Sequence, residues 1–149
     1  MAIIQGCELP DGLLYYIERS QLLWIRPEGE GIRIGATDPA QARAGRILVI
    51  RIRGAGTVRE RGRPLATVES GKWAGPVMAP VSGTITASNT ELEANPGLLN
   101  SDPYGRGWVA TMHPSKASEL DDLLRGEAAL KRFREIIERE HIVGRRGSG

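Results

Sequence analysis

The chain of 149 residues is poor in the residues that most protein chemistry uses, with one cysteine, two histidines and one phenylalanine. A lone Cys7 excludes an internal disulfide framework, and with it the small secreted domains that depend on one. His113 and His141 lie far apart in sequence, and no Cys/His cluster has zinc-ligand spacing, so no metal site is expected. No Ser/His/Asp order suggests a hydrolase, and Gly54-Ala55-Gly56 lacks the rest of a phosphate-binding loop. No apolar run approaches the roughly 20 residues of a membrane span. The segment Met1 to Gly6 has neither the basic region nor the apolar stretch of a signal peptide, so the expected location is cytoplasmic. The net charge of +2 selects no partner by itself. These absences point away from an enzyme that works alone.

What is present reads as a single domain over 1–149, with a sheet core over about 13–112 and a helical tail over about 115–141. Residues 144–149 are expected to be disordered. Strands are predicted near Tyr15–Ile17, Leu22–Ile25 and Ile32–Gly35. Thr37-Asp38-Pro39 opens a short helix near 38–44, with Thr37 or Asp38 as its cap, and Gly45 closes it. A strand over Arg46–Arg53 should place Leu48, Ile50 and Ile52 on one face and Arg51 and Arg53 on the other. Asn95-Pro96-Gly97 is a turn, Leu98-Leu99 fits one helical turn, and Trp108 to Met112 closes the sheet. In the tail a helix begins around Ser118, Gly126 interrupts it, and Leu130, Phe133, Ile136 and Ile137 form one apolar stripe that suits packing on the sheet.

The stretch that organises the chain is Val68 to Gly83. Ser70-Gly71 separates an apolar run ending at Val68 from a second over Val77–Ile85, which predicts a hairpin with Lys72 at its exposed tip, free of neighbours. An exposed lysine lacks the burial that would make it a base, but it suits covalent attachment by another enzyme. The same residues also fit an ordinary solvated lysine. From Arg43 to Arg63 arginine dominates, with Glu60 the sole acid. That pattern fits a solvated sheet face or a docking surface for an acidic protein. Nucleic acid is not expected, because no stacking aromatics interleave the arginines.

Several segments then carry a resemblance: Glu69-Ser70-Gly71-Lys72-Trp73, Ala79-Pro80-Val81-Ser82-Gly83, Asn95 through Gly105, Gly107-Trp108, Trp24, Gly35-Ala36-Thr37-Asp38 and Ser118-Glu119-Leu120. In this order they resemble the glycine cleavage system H-protein family over about Tyr15–Ile137. The resemblance implies a mainly β fold, a lipoyl-type sandwich or barrel-sandwich hybrid, with lipoate in amide linkage on Lys72. It also implies that Glu69, Gly56 and Gly83 help a lipoylating enzyme to accept the hairpin.

The departures from that family concern the cargo. Its acid-His-acid-Trp segment reads Gln21-Leu22-Leu23-Trp24 here, its Asp-His-Ala-Gln segment reads Asp38-Pro39-Ala40-Gln41, and the acid beyond the lysine is replaced within Ala74-Gly75-Pro76. A cationic aminomethyl cargo would lose its partners. These features look like the H-protein-like lipoate-binding proteins of heterodisulfide-reductase-like sulfur oxidation. That branch implies a sulfur-bound cargo on the dithiol, delivered by a sulfur-carrier protein to a heterodisulfide-reductase-like complex, with dihydrolipoamide dehydrogenase reoxidising the arm. A glycine cleavage H-protein and an unmodified interaction domain are the alternatives. Cys7 is either incidental or able to exchange with the dihydrolipoyl thiols.

Overall fold

The computed structural model describes residues 1–18 and 20–147. Its first element lies outside the expected sheet core. β1 (Ala2–Ile4) and β2 (Cys7–Leu9) form a hairpin whose turn residues, Gln5 and Gly6, have φ of 48° and 79°. Two positive φ values at a two-residue connection match the twist of the flanking strands. There follow β3 (Leu14–Glu18), β4 (Gln21–Glu28), β5 (Gly31–Ala36), α1 (Asp38–Ala44), β6 (Ile47–Ile52), β7 (Val58–Arg59), β8 (Pro64–Ser70), β9 (Ala74–Met78) and β10 (Gly83–Ser88). The short helices α2 (Thr90–Ala94) and α3 (Leu98–Ser101) precede β11 (Ala110–Pro114), a 3₁₀ turn over Ala117–Asp122 and α4 (Gly126–Glu140).

The strands build a six-stranded antiparallel sheet in the order β3-β4-β5-β11-β10-β7 and a three-stranded antiparallel sheet in the order β6-β8-β9. The expected mainly β, lipoyl-type architecture is what the chain adopts. β4 explains why two cores are needed. Successive side chains of a strand point to opposite faces, and Leu22 to Ile25 are all buried. Leu23 and Ile25 face the core between the two sheets, with Ile34, Ile50, Val68, Val81 and Met112. Leu22 and Trp24 face a second core beneath α4 and the N-terminal hairpin, with Leu9, Tyr15, Phe133 and Ile137. The tail stripe therefore packs on the sheet, Phe133 meeting the Tyr15 ring edge-on at 5.0 Å between centroids.

Three sequence expectations are revised. Residues 91–95 are polar and no element is expected there, yet 90–94 form α2, because Asn89 caps the Leu92 N–H at 3.3 Å and Leu92 supplies the buried contact. Leu48 does not share a face with Ile50: the β6–β8 register shifts between Ile47 and Val49, and this bulge turns Leu48 outward to 53% exposure. The end of the chain is held down from Gly144 to Gly147, with Gly144 N–H on Gln5 O at 3.0 Å and Arg146 N–H on Gly6 O at 3.1 Å. Ser148 and Gly149, the remainder of the segment expected to be disordered, lie outside the described residues.

Candidate functional site: the lysine hairpin and its cleft

Lys72 stands where β8 turns into β9. Glu69 pairs with Ala74, the last rung of the ladder, and Gly71-Lys72-Trp73 form the tip. Ser70 braces that tip: its N–H donates to Trp73 O at 2.7 Å, and its hydroxyl donates to the same carbonyl at 3.2 Å. The second strand starts at Ala74 rather than Val77, and the run Val77–Ile85 is divided. Met78 ends β9, and Gly83 begins β10 in the other sheet.

Lys72 is exposed, as expected, but it is not free of neighbours. Its stem folds back on Gly45, where a Cβ would lie 3.0 Å from Cε and 3.8 Å from Nζ. The methylenes cover the bare glycine backbone while the ammonium stays in water, near the C-terminal end of α1, where positive charge is favoured. Gly45 has φ 81° and ψ −167°, a conformation open essentially to glycine. Gly45→Ala is expected to cost about 1–3 kcal/mol and to displace the lysine stem. A thermal melt reads the first effect, and the Lys72 side-chain resonances read the second.

α1 is fixed at both ends. The Thr37 hydroxyl accepts from Ala40 N–H at 3.2 Å, as a cap should. Asn100 secures the other end: its amide donates to Gly45 O at 2.9 Å and to Gln41 Oε1 at 3.0 Å, and its carbonyl accepts from Ile47 N–H at 2.9 Å. Asp38, the other cap candidate, does something the sequence did not reveal. Its buried carboxylate accepts from Glu8 N–H at 2.8 Å, from Arg145 N–H at 3.0 Å and from Gln41 Nε2 at 2.8 Å. It thereby ties the N-terminal hairpin and the chain end to α1.

Between α1 and the hairpin lies a cleft of about 270 Å³, walled chiefly by Leu23, Ala40, Ala44, Trp73, Val77 and Leu99. Trp73 forms one wall because Gly75 leaves it room; a Cβ there would lie 2.5 Å from the indole. Among the described residues, no carboxylate and no imidazole lines this cleft. Gln21 is committed at both ends of its amide, donating to Pro76 O at 3.0 Å and accepting from Met78 N–H at 2.9 Å. Arg43, a charged residue of the lining, donates to Ser20 O and pairs with Glu140 at 3.4 Å.

The residues expected to guide lipoylation divide into two places. Glu69 is exposed three residues before Lys72, on the same hairpin. Gly83 opens β10 in the other sheet, and Gly56 lies in the turn before β7 that bonds to the same strand. Gly56 N–H donates to Ile85 O at 2.8 Å, and Gly83 pairs with Arg59. Both glycines have local structural reasons: φ is 92° at Gly56, and a Cβ on Gly83 would lie 2.2 Å from His113 O. Cys7 is fully buried in the second core, and burial, with the Asp38 charge, pushes its thiol up to about 12. It holds its proton at neutral pH, so dithiol exchange finds no support there.

The family profile described as glycine cleavage H-protein matches residues 14–136. The chain is 48% identical to the probable glycine cleavage system H protein 2 of Sulfolobus acidocaldarius, over 98% of this chain and 99% of that one. It is 43% identical to the glycine cleavage system H protein 2 of Aquifex aeolicus, over 93% and 86% of the two chains. The crystal structure of a glycine cleavage system H protein from Mycobacterium marinum superposes with a TM-score of 0.72 at 24% identity, covering 84% of this chain and 98% of that one, and shows the same fold. A lysine displayed on a braced hairpin, in a chain that follows these proteins along nearly its whole length, places this protein in the glycine cleavage H-protein family of lipoyl carriers.

Proposed function

We propose that this chain carries lipoate in amide linkage on Lys72 and serves cytoplasmic partner enzymes as a mobile cofactor protein, without catalysing a reaction itself. The observation that carries this reading is the exposure of Lys72 at a stiff hairpin tip beside an apolar cleft. When bound, lipoate supplies a ring disulfide that is reducible to two thiols, one able to hold a cargo. The hairpin keeps the attachment point at a fixed place, and tethering raises the local concentration of the arm at each docked active site. Glu69, beside the lysine, is the side chain that a lipoylating enzyme reads, while Gly56 and Gly83 act through the shape of the fold. A lipoylating enzyme and dihydrolipoamide dehydrogenase are the partners this reading requires.

For the cargo, the names of the relatives support the aminomethyl group of glycine cleavage, and that is the first reading. A second is favoured by one observation, the chemistry of the cleft. An ammonium entering it would meet alkyl walls, an occupied glutamine and an arginine of like charge, and an unpaired buried charge is costly. A sulfur-bound cargo, received from a sulfur-carrier protein and passed to a heterodisulfide-reductase-like complex, needs no such partner. Glycine–bicarbonate exchange, run on the lipoylated chain with the decarboxylase of glycine cleavage, separates the two. Exchange at the rate of an ordinary H-protein establishes the aminomethyl cargo. Its absence, with the arm still reducible by dihydrolipoamide dehydrogenase, favours sulfur.

A further inference from the structure

The arginine-rich stretch of the sequence acquires a direction in the fold. The β6–β8–β9 register sends Val49 and Arg51 of β6, Thr67 and Glu69 of β8, and Ala74 and Pro76 of β9 to the outer face of the three-stranded sheet. Glu69 is the one acid among these positions. Arg46 lies just before β6 and Arg53 just after it, both exposed, as is Arg51. Among the described residues, Arg46, Arg51 and Arg53 make no salt bridge, whereas Arg26, Arg33, Arg61, Arg106 and Arg145 elsewhere on the surface do. Three arginines against the one acid, Glu69, leave this face with a net positive charge.

A second feature of the same strand points outward. The bulge places Leu48 between the rungs Ile47–Ser70 and Val49–Glu69, immediately beside the tip that bears Lys72, with about half its surface in water. A large aliphatic side chain gains nothing by standing in solvent, and a regular strand would have turned it inward. The β6 edge itself is not open to another strand, because Ile47 N–H donates to Asn100 and Ile52 N–H to Glu93. What this strand offers a partner is its face. From Arg46 to Arg53 it extends about 23 Å at about 3.3 Å per residue.

We propose that the face formed by Arg46, Leu48, Arg51 and Arg53 is a docking surface for the acidic rim of an enzyme that receives the arm on Lys72. Leu48 supplies the apolar contact next to the tip, and the arginines supply steering and orientation, so that an acidic rim seats the lysine towards its own active site. The proposal rests on the carrier reading for its purpose, but docking can be measured without the lipoyl group.

The test is binding of the unlipoylated and lipoylated chain to the lipoylating enzyme and the dihydrolipoamide dehydrogenase of the same organism, by interferometry over a salt series. The triple variant Arg46→Glu/Arg51→Glu/Arg53→Glu is compared with Lys131→Glu/Arg132→Glu/Arg134→Glu on the exposed side of α4, which changes net charge equally. At low salt the first variant is expected to bind at least one of the two enzymes about tenfold or more weakly, and the parent is expected to lose that advantage as salt rises. Leu48→Ser should weaken the same complex without changing its salt dependence. The inference is overturned if the α4 variant weakens binding as much, or if the first variant, with an unchanged melting temperature, binds both enzymes like the parent. A parent that remains unlipoylated at Lys72, while the first variant still binds more weakly, would overturn the carrier reading and leave the docking surface standing.

Discussion

Asp38→Ala is expected to remove about 3 kcal/mol or more of stability. The carboxylate satisfies two backbone N–H groups and one side-chain amide in a buried place, and each donor left without a partner there costs about 1–3 kcal/mol. Water entering the vacated space recovers part of that loss. For a domain of this size the melting temperature should fall by about 10 °C. The loss should also be local before it is global. Glu8 and Arg145, whose amides bond to Asp38 across 30 and 107 residues of chain, should exchange their amide hydrogens far faster than Ile25 in the core between the sheets. Thr37→Ala, which removes the cap of α1 but leaves these ties intact, should cost about 1 kcal/mol. Equal effects of the two substitutions in a denaturant titration would show that Asp38 is an ordinary helix-end residue.

Lys72→Arg should have the opposite profile, abolishing function with almost no effect on stability. The side chain is exposed, and surface replacements away from special features usually stay within about 0.5 kcal/mol. Arginine keeps the charge near the end of α1, but its guanidinium does not serve as the amine on which a lipoyl amide is formed. Lipoylation in vitro, and every transfer that depends on it, should fall to background while the melting temperature stays within about 2 °C of the parent. A melting temperature lowered by 10 °C would give Lys72 a structural role, and residual lipoylation would put the attachment point elsewhere.

The sequence made local signals legible. Thr37, Pro39 and Gly45 marked both ends of α1, and the continuous apolar stretch in β4 corresponds to a strand buried on both faces. The hairpin was visible in its turn residues, and the meaning of Lys72 came from the motif around it rather than from its chemistry. What escaped were features set by contacts between distant segments. Asp38 looked like a cap because its partners, Glu8 and Arg145, lie near opposite ends of the chain. The bulge at Leu48 has no signature in an alternating stretch, since the extra residue is apolar like its neighbours. α2 rests on one buried leucine and an asparagine cap, too little for a helical period to show. The cleft had no signal of its own in the sequence, which showed only that acid and histidine positions of the family are replaced. Its walls are assembled from α1, β4, β8, β9 and α3, and no single stretch contains them.

The central claim is that Lys72 is the site of lipoyl attachment, and the most direct measurement is mass analysis of the protein from its native host, intact and after proteolysis. The account predicts a chain heavier by one lipoyl group, carried on the peptide that spans the tip between Ser70 and Ala74. A chain of unmodified mass, taken from cells whose other lipoyl proteins are loaded, would contradict it and leave a fold that has kept the hairpin without the cofactor.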